Sequence, residues 1–172
     1  RDAMWQTAPR PHHNDATERY GRDSGYARIS KLEDPGFVLD FADALARAKL
    51  ERGARILDLG VNAGDELALI VALAPQLGAS FVAIDHSASA LAVARQRFPG
   101  DSFRFIEGDL NALGELELGR FDLVISLNTL QSPGVDDRAV LRRIRPGLVQ
   151  DEIQHGDIRI DRVIESEGPD FV

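Results

Sequence analysis

The segment 54–64, Ala-Arg-Ile-Leu-Asp-Leu-Gly-Val-Asn-Ala-Gly, constrains the fold of this chain more than any other. It reads as a short apolar strand that ends at a carboxylate, Asp58, and turns through Gly60 and Gly64 into a helix. Glycines at such a turn let backbone N–H groups approach a ligand and let the helix pack close to the strand. The spacing Gly60-x-Asn62-x-Gly64 departs from the dinucleotide pattern Gly-x-Gly-x-x-Gly, because Asp65 stands where the third glycine would fall and Glu66 follows it. Two carboxylates in the first helical turn suit the helix dipole but repel a pyrophosphate. A Walker-type loop is excluded as well, since no Gly-Lys-Ser/Thr follows the turn. The expected ligand is therefore not strongly anionic.

S-adenosylmethionine (SAM) meets that requirement, carrying a sulfonium and an ammonium against one carboxylate. The run Ile56-Leu57-Asp58-Leu59-Gly60-Val61-Asn62-Ala63-Gly64 resembles the first motif of class I SAM-dependent methyltransferases, with Asn62 where the commonest form has glycine. Further motifs of that family follow in order. The run 80–85 reads as a second buried strand ending in Asp85, about 25 residues after Gly60, where a carboxylate grips a ribose diol. Ser87 then caps an Ala-rich helix through Phe98 that Pro99-Gly100 closes. Asp85-x-Ser87 with Leu91 is again similar to the family. A third strand from Phe103 is read as ending at Asp109-Leu110, and a fourth, 121–128, ends at Asn128.

The resemblance implies a role for each of these residues. Asp58 meets the methionyl ammonium directly or through water, Gly60, Asn62 and Gly64 line the cofactor turn, and Asp85 holds the ribose. Asp109 and Leu110 face the adenine amine, while Asn128, Thr129 and Gln131 lie near the methyl group. His86 is read either as an adenine neighbour or as a surface histidine. Each acid also has a plainer reading as a turn or helix-capping carboxylate, and Asn128 as a residue that satisfies backbone groups.

Four apolar runs with polar C-terminal ends, separated by helical stretches, predict a doubly wound, mainly parallel α/β sheet with helices on both faces. With 172 residues and 44% hydrophobic content, one domain with a full core is expected. The absence of cysteine excludes disulfides, thiolate metal sites and a cysteine nucleophile, and no His/Asp/Glu spacing suggests a metal. No apolar run approaches the ~20 residues of a membrane span and no signal-peptide pattern is present, so a cytoplasmic protein is expected. A net charge of −8 argues against a dominant grip on nucleic acid. Arg138, Arg142, Arg143 and Arg145 lie on or just after a short helix opened by Asp136 and Asp137, the charge order of a solvated helix.

Residues 1–35 read as a polar arm, with His12 and His13, and 36–172 as the SAM-binding domain. In the family such an arm folds over the cofactor as a lid; Tyr20, Tyr26 and Arg28 are the candidates for it here. A helix from about Gly36 to Leu50 presents Phe37, Phe41, Leu45 and Ala48 on one face. Beyond Ile144 the residues are too few for the fifth strand, helix and terminal strand pair of the family, so the C-terminal part is expected to be incomplete. Residues 146–149 could open the fifth strand, and 157–164 alternates like an exposed strand.

The resulting expectation is methyl transfer from SAM to a small-molecule acceptor, leaving S-adenosylhomocysteine (SAH). No catalytic base is identifiable, and self-association is left open. The motif after Leu127, Asn128-Thr129-Leu130-Gln131-Ser132-Pro133, lacks the Asp/Asn-Pro-Pro-aromatic signature of methyltransferases acting on nucleobase or glutamine amines. Two rivals stand beside this reading: a non-catalytic SAM-binding or scaffold domain of the same fold, and an NAD(P)-linked oxidoreductase with a degenerate turn.

Overall fold

In a computed structural model, the described residues are 30–146, 158–160 and 163–166. The main sheet has five parallel strands, β1 (Arg55–Leu59), β2 (Ser80–Asp85), β3 (Phe103–Glu107), β5 (Leu123–Leu127) and β8 (Val163–Ser166). Their order across the sheet is β3-β2-β1-β5-β8. A small second sheet, order β4-β7-β6, joins β4 (Arg120–Phe121), β6 (Ile144–Pro146) and β7 (Ile158–Ile160).

Both faces of β1 and β5 are buried, which explains why these strands are continuous apolar runs rather than alternating ones. Ile56, Leu123 and Ile125 face a cluster built with Phe41 and Leu45 of helix α1 (Pro35–Arg47), Leu67 and Ile70 of α2 (Asp65–Leu73), and Leu91 of α3 (Ala88–Arg97). Leu57, Leu59 and Val124 face the opposite cluster, which contains Leu110, Leu113 and Phe121, with Val140 of α4 (Asp137–Arg143). Helices therefore cover both faces, as the sequence implied.

Local chemistry sets the helix ends. Asp34 caps α1 by accepting from the N–H of Gly36 and Phe37, and Pro35 stands at the first helical position, where its missing N–H costs nothing. The expected start at Gly36 is thus one residue late, and the helix ends at Arg47 rather than Leu50 because Lys49 turns left-handed at φ 47°. Ser87 caps α3 by accepting from the Ala90 N–H, and Phe98 ends it.

Three strand readings differ from expectation. The fourth, 121–128, is shorter and divided: Phe121 belongs to β4 of the small sheet, β5 runs only from Leu123 to Leu127, and Asn128 follows it in the left-handed region. The third strand stops at Glu107, and Asp109 instead caps a short 3-10 helix, Leu110–Glu115. In the C-terminal region, Pro146 closes β6 of the small sheet, whereas the place beside β5 is taken by Val163–Ser166, with Ile125 opposite Ile164. The alternating run 157–164 resolves into two short strands that join different sheets. Residues 147–149 lie outside the described residues.

Candidate functional site

Strand order reverses between β1 and β5: the chain runs outward from β1 through β2 to β3, then returns to the other side of β1. The carboxyl ends of β1 and β5 therefore border the crevice at a topological switch point, where parallel α/β sheets bind ligands. Asp58 lies in register with Ala83 of β2 and Ile125 of β5, one residue before β1 ends.

Asp58 is 1% exposed, and its Oδ2 has no hydrogen-bond partner among the described residues. Burial pushes its pKa well above the ordinary 3.8; the charges of Glu66 and Asp85 push it further, and Lys31 opposes them. Glu66 is itself 3% exposed and forms an ion pair with the Lys31 ammonium. Three buried carboxylates thus meet at the carboxyl edge of β1 and β2 with one lysine among them. Such a site disfavours an anion and has an unsatisfied demand for positive charge or a proton.

The turn after β1 strengthens that polarity. The N–H of Gly60 donates to the Ile84 carbonyl at 2.7 Å, Val61 to the same oxygen at 3.2 Å, and Gly64 to Val61 at 2.9 Å. The Asn62 N–H donates to Asp85 Oδ2 at 2.8 Å. These four N–H groups are therefore used within the protein, which corrects the expectation that the glycines offer N–H groups to a ligand. Their purpose is close packing: a methyl on Gly60, at φ 79°, would come within 2.8 Å of Thr129 Cβ, and one on Gly64 would meet the Phe98 ring at 2.7 Å. Gly60 brings the loop after β5 onto the turn after β1.

Asp85 holds two backbone donors, Asn62 N–H on Oδ2 and Ser87 N–H on Oδ1 at 2.9 Å. Each carboxylate oxygen has a further lone pair, so both the capping role and a diol contact are chemically available. His86, beside it, is half-buried. Asp109 is exposed and accepts from the Asn111 N–H, the turn role weighed against an adenine contact, while Leu110 is buried below it. Asn128 is exposed in the left-handed region at φ 58°, Gln131 Nε2 donates to its Oδ1 at 3.4 Å, and Thr129 Oγ1 donates to the Leu127 carbonyl. The candidates Tyr20, Tyr26 and Arg28, with His12 and His13, lie outside the described residues.

Several residues that shape the site carried no signal in the sequence. Lys31 falls in what reads as a polar arm, yet its N–H and Ser30 Oγ both reach Asp65 Oδ2. Arg97 donates to the Ala63 carbonyl at 2.7 Å and to Asp65 Oδ1 at 2.8 Å, clamping the glycine turn from the end of α3. Asn111 donates to the Gly134 carbonyl and accepts from the Asp136 N–H, tying the loop after β3 to the loop after β5. All three contacts join segments distant in sequence, which spacing does not encode. Among the described residues there is no cluster of three or more metal-ligating side chains, and no helix is long and apolar enough to cross a membrane.

Fold and site together define a parallel α/β protein with buried carboxylates gathered at the carboxyl edge of its sheet. Residues 56–151 match the methyltransferase domain family, over half of the chain. The chain belongs to that family, the class I SAM-dependent methyltransferases, whose cofactor is SAM. It is 35% identical over 112 residues to a trans-aconitate 2-methyltransferase of Azoarcus sp., covering 62% of this chain and 41% of that protein. Over 62 residues it is 44% identical to the enzyme of that name from Methylobacterium nodulans, covering 36% of this chain and 23% of the relative. The matched segments thus span less than half the length of these relatives. Among solved structures, a SAM-dependent methyltransferase from Geobacter sulfurreducens in complex with SAH superposes with a TM-score of 0.50 at 27% identity, covering 70% of this chain and 48% of that one. One from Thiobacillus denitrificans, at 23% identity and a TM-score of 0.50 over 77% of this chain and 52% of its own, shares the fold.

Proposed function

We propose that this chain is the cofactor-binding part of a cytoplasmic methyltransferase that moves the methyl group of SAM to a small-molecule acceptor. The observation that carries the reading is the buried Oδ2 of Asp58, unpartnered among the described residues and set among two further acids, a setting that a cationic methionyl end would satisfy. Asp58 meets the ammonium, and Asp85 takes the ribose with the lone pairs its two backbone donors leave free. Asp109, Leu110 and His86 border the adenine. Gly60, Asn62 and Gly64 give the turn its shape.

SAM supplies an activated methyl on its sulfonium, so the chain's task is to align an acceptor and keep water away. Asn128 and Thr129 stand at the end of β5, held against Gly60, and with Gln131 form the neutral, polar wall at the reacting end. Tyr20, Tyr26 and Arg28 complete this reading as the lid. Dedicated base chemistry is needed only for an acceptor that must lose a proton on attack. The relatives' acceptor, trans-aconitate, is the first to test. Incubation with methyl-labelled SAM and a panel of small carboxylates, amines and thiols should move label into one class. Binding of SAM without transfer to any of them, by the full-length protein, would favour the scaffold reading.

A further inference from the structure

Recognition of the methionyl ammonium calls for one carboxylate, and Asp58 supplies it; Glu66 is a second, buried beside it. Glu66 stands on the first turn of α2 at 3% exposure and pairs with Lys31, on the segment preceding α1. That segment is already anchored without Glu66, since Ser30 Oγ and the Lys31 N–H both donate to Asp65 Oδ2. An ion pair used only as a strut could sit in water, where it costs little. Placing Glu66 near Asp58, whose Oδ2 is unpartnered among the described residues, instead carries a desolvation cost and raises the demand of Asp58 for a counter-charge. Both effects are offset when a cation enters.

We infer that Glu66 is a specificity-determining residue of the cofactor site: with Asp58 it makes the methionyl end of the pocket select ligands that carry a free ammonium. Lys31 keeps Glu66 seated before the ligand arrives. Lys31 also makes the segment before α1 the wall of that end of the pocket. Three carboxylates, Asp58, Glu66 and Asp85, outnumber the one lysine there, and the ammonium of the ligand adds positive charge to that acidic setting. This inference rests on the proposed SAM binding.

Two probes separate the contributions. SAH carries the nucleoside, the thioether and the amino-acid end, whereas 5′-methylthioadenosine carries the same nucleoside and thioether without the ammonium. Calorimetric titration of the full chain with both should show the parent preferring SAH. Glu66→Gln should lose about tenfold or more in SAH affinity and hold 5′-methylthioadenosine to within about twofold of the parent. The double variant Lys31→Met/Glu66→Met, which buries no charge and keeps the volume, should fold and show the same selective loss. If both ligands weaken by one factor, or neither changes, the pair is a strut and the inference is overturned while SAM binding stands. A folded parent that binds neither ligand overturns both together.

Discussion

Replacing Asp58 by asparagine should stabilise the ligand-free protein at neutral pH while weakening its hold on SAM. The carboxyl is 1% exposed, with Oδ2 unpartnered among the described residues, and burial first, then Glu66 and Asp85, raise its pKa well above 3.8. The folded protein therefore keeps this proton to higher pH than the unfolded chain does. Below 3.8 both states are protonated and the contribution of Asp58 to stability is fully present. As pH rises from there toward the native value, only the unfolded chain ionises, and stability falls by at most about 1.4 kcal/mol per pH unit for the one proton. Asparagine has no such proton to lose. Each pH unit within that window should thus separate parent and variant by up to roughly 3–6 °C in Tm for a chain of this size. The assay is thermal and chemical unfolding of both proteins without ligand, in half-unit steps from about pH 4 to pH 8. Stability profiles that stay parallel throughout would instead mean that Asp58 ionises as readily in the fold as out of it.

Three further perturbations test the geometry. Gly60→Ala places a side chain at φ 79° and within 2.8 Å of Thr129 Cβ, and should cost about 3 kcal/mol or more in denaturant unfolding. Asp85→Asn leaves one acceptor oxygen where two backbone donors converge, so the affinities for SAM and for free adenosine should fall together by about tenfold; unchanged adenosine binding would remove the ribose assignment. Arg97→Ala frees the Ala63 carbonyl and Asp65 on a half-exposed clamp. It should cost under about 1 kcal/mol in stability yet weaken SAM severalfold in titration, since the turn it holds is the one proposed to border the cofactor.

Much of the architecture was legible because it is written in local patterns. The apolar runs of β1 and β2, the cap at Ser87 and the stop at Phe98 each depend on neighbours a few residues away, and they stand where the sequence puts them, whereas the single run read at 121–128 divides between β4 and β5. Asp109 illustrates the limit of such patterns. An acid after an apolar run signals a strand end or a cap equally well, and here the strand stops two residues earlier. Glu66 shows a different limit. Its place in the first turn of α2 was readable, but its burial beside Asp58 depends on Lys31, which lies 35 residues upstream. The N–H groups of the glycine turn were misread for a related reason, because their acceptors lie on the neighbouring β2 strand and in the turn's own return. The place of Val163–Ser166 beside β5 is a pairing choice among short β-prone segments, and periodicity leaves such choices open.

The crevice between β1 and β5 is proposed as the site of an adenosyl ligand with a cationic amino-acid end. Calorimetric titration of the purified chain with SAM and SAH, and with NADH as the anionic dinucleotide control, tests that assignment most directly. Saturable binding of both sulfur ligands is expected, with a Kd in the micromolar range or below, and no heat from NADH. Saturable binding of NADH, with no response to either sulfur ligand, would contradict it.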